Sequence, residues 1–384
     1  MKSLTTILYS FTLLIISAWG MSIEYPKGAI NAQMVVQGYE WGPAVPKVVV
    51  AFDDLVSGFT KDTFLVKTGG SPREIIDVYN ADANGVRQQY ETNYLAIEMK
   101  VNTIYIEFLG ASMGDANPFA YDMATGRNIW ASDFELELDL APNMTFMVGE
   151  TEYGAETDGV KNPLIIWLHG AGEGGVDIDI ALLGNEVIAL AKEGIQKYFI
   201  NDEQKGAYVL AVQNPTMWMD KGNGSYNTDI EAGKRQTSMY DAALFAAIHD
   251  YVVNNPDIDT SRIYLGGCSN GGYMTMNLMF EHGDYFSAFY PICEAYMNKN
   301  ISDEMIDQVK DYNIWFLQSE DDTTVNPLAT TIPAFYRLLG AGAQNVHFTL
   351  TDKVRGEDDP EAKYMGHYSW IYTFNDDVKT EFDN

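Results

Sequence analysis

Cysteine is almost absent: Cys268 and Cys293 are the only two in 384 residues, so no disulfide scaffold holds this fold. Both follow expected strands. If those strands are neighbours a bridge between them can form; otherwise they are two small buried thiols, the reading we favour. Basic residues are scarce as well. The 24 Lys and Arg against 54 Asp and Glu leave a net charge of -30, a field that repels phosphate backbones and anionic lipid surfaces. Nucleic acid and membrane partners are therefore not expected, and strongly anionic polymers such as polyuronates are disfavoured as substrates. Beyond the N-terminus no stretch approaches the roughly 20 apolar residues of a membrane span. Histidine is limited to five residues, so a reaction that needs an imidazole has few sources of one.

What is present comes in three stretches. Lys2 precedes an apolar run from Ile7 to Trp19, and Ala18-Trp19-Gly20 offers small residues around a cleavage site, so residues 1–22 read as a signal peptide of a secreted protein. From residue 23 to 130 the pattern is short and extended. Lys47–Phe52, Asp62–Lys67, Tyr94–Met99 and Thr103–Phe108 are rich in β-branched and aromatic residues, with turn formers such as Thr68-Gly69-Gly70-Ser71-Pro72 between them. That spacing predicts an all-β, immunoglobulin-like sandwich. Its aromatics Tyr39, Trp41 and Trp130 fit core or domain-interface packing better than a glycan platform. The strictly alternating Phe134–Leu140 is expected to open a second domain, residues 131–384. With no flexible linker before it, the two domains are expected to pack together.

After residue 160 the pattern changes. Pro163–Leu168 and Ala207–Val212 are continuous apolar runs, as in parallel strands covered on both faces. A helix is expected from about Leu182 to Glu193, and another from Tyr240 to Asn254 with Leu244, Ala247, Ile248, Tyr251 and Val252 on one stripe. Strand alternating with helix over about 240 residues means an α/β domain with a mostly parallel sheet and helices on both faces. Within it, Ile263–Cys268 runs into Gly267-Cys268-Ser269-Asn270-Gly271 and then a segment of helix formers. Such a strand, sharp turn and helix place Ser269 strained at the apex, with glycines where a side chain would clash.

A serine hydroxyl needs a base, and the base needs a carboxylate to hold its tautomer. His249 falls in a helix, His282 just after one and His347 in a strand, while His169 shapes a glycine-rich loop. His367, in the long loop after the last expected strand, is the base by elimination. The loop after Leu317 supplies the acid. The order serine, acid, histidine is that of α/β-hydrolases, and Asp322, three residues before Val325, is favoured over Asp321. The oxyanion hole should use the backbone amide of Asn270 and one from Ala171 or Gly172 in His169-Gly170-Ala171-Gly172.

These motifs, with Pro291-Ile292-Cys293 and Gly366-His367-Tyr368-Ser369-Trp370, resemble the secreted esterase branch of the α/β-hydrolase fold. That branch includes feruloyl and acetyl xylan esterases, polyhydroxybutyrate-depolymerase-like proteins and relatives of the prolyl-oligopeptidase catalytic domain. Some of its bacterial members carry an N-terminal immunoglobulin-like domain. One departure is the acidic segment from Gly149 to Gly159, ahead of the first buried strand. The resemblance implies that Gln213 and Trp218 face the cleft, that Trp370 stands beside the base, and that no metal or organic cofactor takes part. It implies a serine carboxylesterase acting on small esters or on ester-decorated polysaccharide. A serine peptidase is the alternative, although the N-terminal region is too short for a gating propeller. An inactive hydrolase domain that binds glycan is a further one.

Overall fold

Alternation of polarity decides which strands face water on one side, and the N-terminal half follows it. In the computed structural model, which describes residues 22–24, 29, 31–56, 59–107, 109–140, 160–201, 203–222 and 231–379, this half is built from two four-stranded sheets. One sheet has the order Asn31–Tyr39, Gly42–Val56, Thr92–Met99, Ile75–Ala81, all antiparallel. The other has the order Ser22–Glu24, Glu135–Leu140, Phe64–Thr68, Ser71–Pro72. Their apolar faces meet: Val48, Val50, Phe52, Leu95 and Ile97 pack with Phe64, Val66, Leu136 and Leu138. Two hairpins, Thr103–Ile106 with Ala111–Gly114 and Phe119–Asp122 with Arg127–Trp130, complete this part.

One expectation is corrected here. The alternating strand around 134–140 does not open the second domain; it pairs antiparallel with Phe64–Thr68 and parallel with Ser22–Glu24. Leu136 and Leu138 point into the sandwich, so the sandwich extends through residue 140 rather than ending at 130. The leader expected at 1–22 lies, apart from residue 22, outside the described residues, as does the segment 149–159.

The C-terminal half is a six-stranded sheet in the order Tyr208–Val212, Asn162–Leu168, Ile258–Cys268, Ala288–Ile292, Ile314–Ser319, Val346–Thr351, every pairing parallel. Burial on both faces explains why Pro163–Leu168 lacks alternation: Leu164, Ile166 and Leu168 join one core, Ile165 and Trp167 the other. The chain leaves Asn162–Leu168 to one side and returns on its other side as Ile258–Cys268. In open parallel sheets such a reversal is where the loops at the carboxyl ends diverge and ligands bind. The helix Asp241–Asn254 buries Leu244, Ile248, Tyr251 and Val252, while Ala247 stays exposed. The helix expected at 182–193 is broken into Ile178–Leu183 and a 3-10 turn, Val187–Ala191. Glu186, at a φ of 57°, interrupts it, and Gly38 of the sandwich packs against its backbone.

At Gly271, tight approach rather than turn conformation explains the glycine. A Cβ there would lie 1.8 Å from the carbonyl oxygen of Leu168 and 2.7 Å from that of His169. Both obstacles are backbone and cannot swing aside. Gly271→Ala is therefore expected to cost about 3 kcal/mol or more of stability, seen as a fall in thermal midpoint. Gly194→Ala, where nothing lies within 4 Å, should leave the midpoint unchanged. Equal midpoints for the two variants would show that the contact is looser than described.

Candidate active site

Four loops converge at the carboxyl end of the sheet. The strand Ile258–Cys268 ends at Ser269 and the helix Asn270–His282 starts immediately after it. Ser269 has φ 55° and ψ -113°, a region disfavoured for any residue with a Cβ. It is held there from both sides: its N–H donates to the carbonyl of Ile292 (2.9 Å) and its own carbonyl accepts from Tyr273 (2.9 Å). The helix supplies Asn270, whose side-chain Oδ1 accepts from the amide of Trp218 (2.5 Å) and so ties the loop after Val212 to the serine turn.

The second loop follows Leu168. Gly170 lies against the serine, since a Cβ on it would come within 3.9 Å of the Ser269 Cβ. His169 is fully enclosed. Its Nδ1 lies 2.6 Å from the Gly170 carbonyl oxygen and its Nε2 accepts from Asn214 (3.2 Å), and burial drives its pKa down to about 4. A neutral imidazole fixed in this way is part of the loop's frame, as expected of it. Glu173, at the end of the turn Ala171–Glu173, is also buried, and burial raises its pKa to about 7. The amides of Gly170 and Glu173 and the Asn128 side chain hold the carboxylate against that cost.

The third and fourth loops bring the acid and the imidazole together. Asp322 Oδ2 and His367 Nδ1 are 2.9 Å apart, with exposures of only 5 % and 8 %. The other oxygen of Asp322 accepts from the amides of Thr324 and Val325, both at 2.9 Å, and Gln318 Nε2 donates to Oδ2 (3.2 Å). Burial would raise the carboxyl's pKa, but the hydrogen bond and charge of His367, with the Val325 and Gln318 donors, outweigh it and the pKa is lowered. Asp321 does not reach the histidine. It accepts from Ser319 Oγ (2.6 Å) and forms the floor under Gly366, whose missing Cβ it would otherwise meet.

Of the other residues singled out in the sequence, Gln213 donates to the Glu173 carbonyl (2.8 Å) and so braces the second loop. Trp218 does not face a cleft. It is 1 % exposed, its indole N–H donates to the His169 carbonyl (3.0 Å) and its ring packs on His169, so it belongs to the core. Trp370 does stand edge-on to His367, ring centroids 5.8 Å apart, but at 7 % exposure it packs against the imidazole rather than walls a cleft. Both cysteines are free, buried thiols, and Cys268 donates weakly to Asn185 Oδ1 (3.7 Å).

Domain packing was expected from the sequence, but the place of Cys293 and the polar contacts of Asn128, Arg127 and Glu40 were not. Cys293 stands beside His367: its sulfur, a ring nitrogen of His367 and a carboxylate oxygen of Asp322 lie within 4.8 Å of one another. Its place just after a strand neighbouring the serine strand was the available signal. The sandwich also grips two of the four loops and the loop after Val212. Asn128 donates to Glu173 (3.2 Å), Arg127 to the Pro215 carbonyl (3.0 Å) and Trp130 to Asp177 (2.7 Å). Glu40, buried, accepts from the amides of Glu357 and Asp358 and from the Tyr364 hydroxyl, and so holds the loop that leads to His367. Tyr39 stacks on Trp41 in the same interface, which leaves Trp41 6 % exposed and removes it from any glycan platform.

With this geometry in place, residues 31–139 match the model of the esterase Ig-like N-terminal domain, and residues 220–324 match that of the prolyl oligopeptidase family. The chain is a serine hydrolase of the α/β-hydrolase fold. Among solved structures this hydrolase is similar to a thermostable esterase at 21% identity and a TM-score of 0.66, over 90% of this chain and 96% of that one. It is also similar to a ferulic acid esterase at 13% identity and a TM-score of 0.39, over 57% of this chain and 83% of that one. Comparison with curated proteins finds no match. Among the described residues no helix is long and apolar enough to cross a membrane.

Proposed function

We propose that this hydrolase is a secreted carboxylesterase working through Ser269, His367 and Asp322. His367 Nε2 takes the Ser269 proton as Oγ attacks the ester carbonyl. The amides of Asn270 and of Ala171 or Gly172 receive the oxyanion. His367 then gives the proton to the departing alcohol, and water repeats the sequence on the acyl-enzyme. No cofactor enters any of these steps. The observation that carries this reading is the Asp322–His367 pair, 45 residues apart in sequence, at the mouth of a sheet whose central strand ends in a strained serine.

For substrate we propose small aryl and short acyl esters, including the feruloyl and acetyl esters of plant polysaccharide, a neutral class compatible with a charge of -30. The match to the prolyl oligopeptidase family across Ser269 and Asp322 favours peptide cleavage as the second reading. Comparing kcat/KM for methyl ferulate, acetylated xylan, polyhydroxybutyrate and a proline-type peptide anilide separates the two. Faster turnover of the anilide would reject the esterase. Release into culture medium, with cleavage near residue 22, checks secretion.

The sandwich takes part by bracing the loop that carries Ala171 and Gly172. Asn128→Ala removes a hydrogen bond to a buried carboxylate, worth about 1.5–3 kcal/mol. It is expected to lower kcat/KM for p-nitrophenyl acetate about tenfold or more while the circular dichroism spectrum stays unchanged. Wild-type kinetics in a folded Asn128→Ala variant would mean that the loop holds its shape without the sandwich.

A further inference from the structure

Cys293 has no step in the ester reaction, yet it is fully buried beside two residues that do. It follows the strand Ala288–Ile292 with a φ of 37°, and its N–H donates to the Leu317 carbonyl (2.8 Å). That turn sets it between the ends of the serine strand and the acid strand. Three different donors from three loops then lie together: a thiol sulfur, an imidazole nitrogen and a carboxylate oxygen, all buried and within 4.8 Å of one another.

We propose that Cys293, His367 and Asp322 form a binding site for a soft divalent cation, with Zn²⁺ as its probe, and that filling the site switches the hydrolase off. The donor set fits the ion. Zn²⁺ binds sulfur at about 2.3 Å and nitrogen or oxygen at about 2.0–2.2 Å, so its ligand atoms sit about 3.3–3.7 Å apart. The Asp322–His367 pair at 2.9 Å has to part by only a few tenths of an ångström. A thiolate and a carboxylate facing a doubly charged cation make the buried site neutral. Three protein ligands leave a fourth position for water. The sulfur selects zinc-like ions over Mg²⁺ and Ca²⁺, which prefer oxygen. The overall charge of -30 concentrates cations around the molecule. On binding, the ion replaces the Cys293 thiol proton and, wherever His367 is charged, the imidazolium proton as well; both pass to solvent, so affinity rises with pH. The bound ion takes the imidazole and the carboxylate away from Ser269, and that is the off state.

The switch rests on the proposed reaction, whereas the site does not, so two measurements are needed. In the first, Zn²⁺ is titrated into wild-type enzyme hydrolysing p-nitrophenyl acetate. Inhibition reversed by EDTA is expected, with no effect of Mg²⁺ at a thousandfold higher concentration. Cys293→Ser and Cys293→Ala should each need at least about 100-fold more zinc. In the second, Co²⁺ is added to Ser269→Ala, which needs no activity. Thiolate-to-cobalt absorption in the near ultraviolet is expected, and its loss in Ser269→Ala carrying Cys293→Ala. Absence of that absorption overturns the site. Equal zinc sensitivity in wild type and both Cys293 variants overturns the switch. Retained hydrolysis in Ser269→Ala overturns the proposed reaction instead, and leaves the cobalt result to decide the site alone.

Discussion

Ser269→Ala is expected to lower kcat for p-nitrophenyl acetate by about 10⁶-fold and to abolish labelling by a fluorophosphonate probe. Losses of that order follow when the nucleophile of a serine–histidine–aspartate unit is removed, because the remaining members have nothing to activate. What survives is the oxyanion hole and substrate binding, worth about 10³–10⁴ over water. The change is confined to the hydroxyl. The backbone of Ser269 keeps its hydrogen bonds to Ile292 and Tyr273, and alanine has the same Cβ to place at a φ of 55°. Thermal stability should therefore remain close to wild type, and a large fall in the midpoint would undercut the kinetic comparison. Ordinary turnover in a folded Ser269→Ala variant would reject the nucleophile outright.

Most of this candidate site could be proposed from the sequence because its parts are local. A glycine–serine–glycine turn between an apolar run and a helix-forming segment carries its own geometry. The loop after Leu168 and the acid before Val325 sit at strand ends that apolar patterning alone locates. Other features depend on what lies across space. Trp218 has the composition of a cleft wall, but its indole N–H is used by the His169 carbonyl, a partner 49 residues away. The strand Glu135–Leu140 alternates as a half-buried strand should, and alternation says nothing of which sheet it joins. The break at Glu186 reflects the approach of Gly38 from the other domain, which no helical periodicity records. Asn128 and Glu40 are polar residues in an all-β stretch, and only the docked loops give them a role.

Asp322→Asn separates positioning of the base from its mere presence, and is expected to lower kcat about 10⁴-fold with the fold intact. The reason lies in the hydrogen bonds around the carboxylate. One oxygen accepts from the amides of Thr324 and Val325, so an asparagine will turn its carbonyl oxygen there. Its NH₂ group then takes the place of Oδ2, facing His367 Nδ1 and the Gln318 amide. His367 can meet an NH₂ donor only with an unprotonated Nδ1. The ring proton moves to Nε2, the atom that in the proposed mechanism accepts from Ser269, and the base would be blocked. A pH profile distinguishes this from simple loss of packing. In wild type, burial pulls the imidazole's pKa down, but the Cys293 thiol and the Asp322 carboxylate push it up more strongly, to about 10. If His367 acts as the base it must be neutral, so kcat/KM is expected to fall as pH drops below that pKa. Removing the carboxylate's charge lowers the imidazole pKa, so the acid limb of the residual activity should move to lower pH. An Asp322→Asn variant with its acid limb unmoved and its rate near wild type would show that another group orients His367.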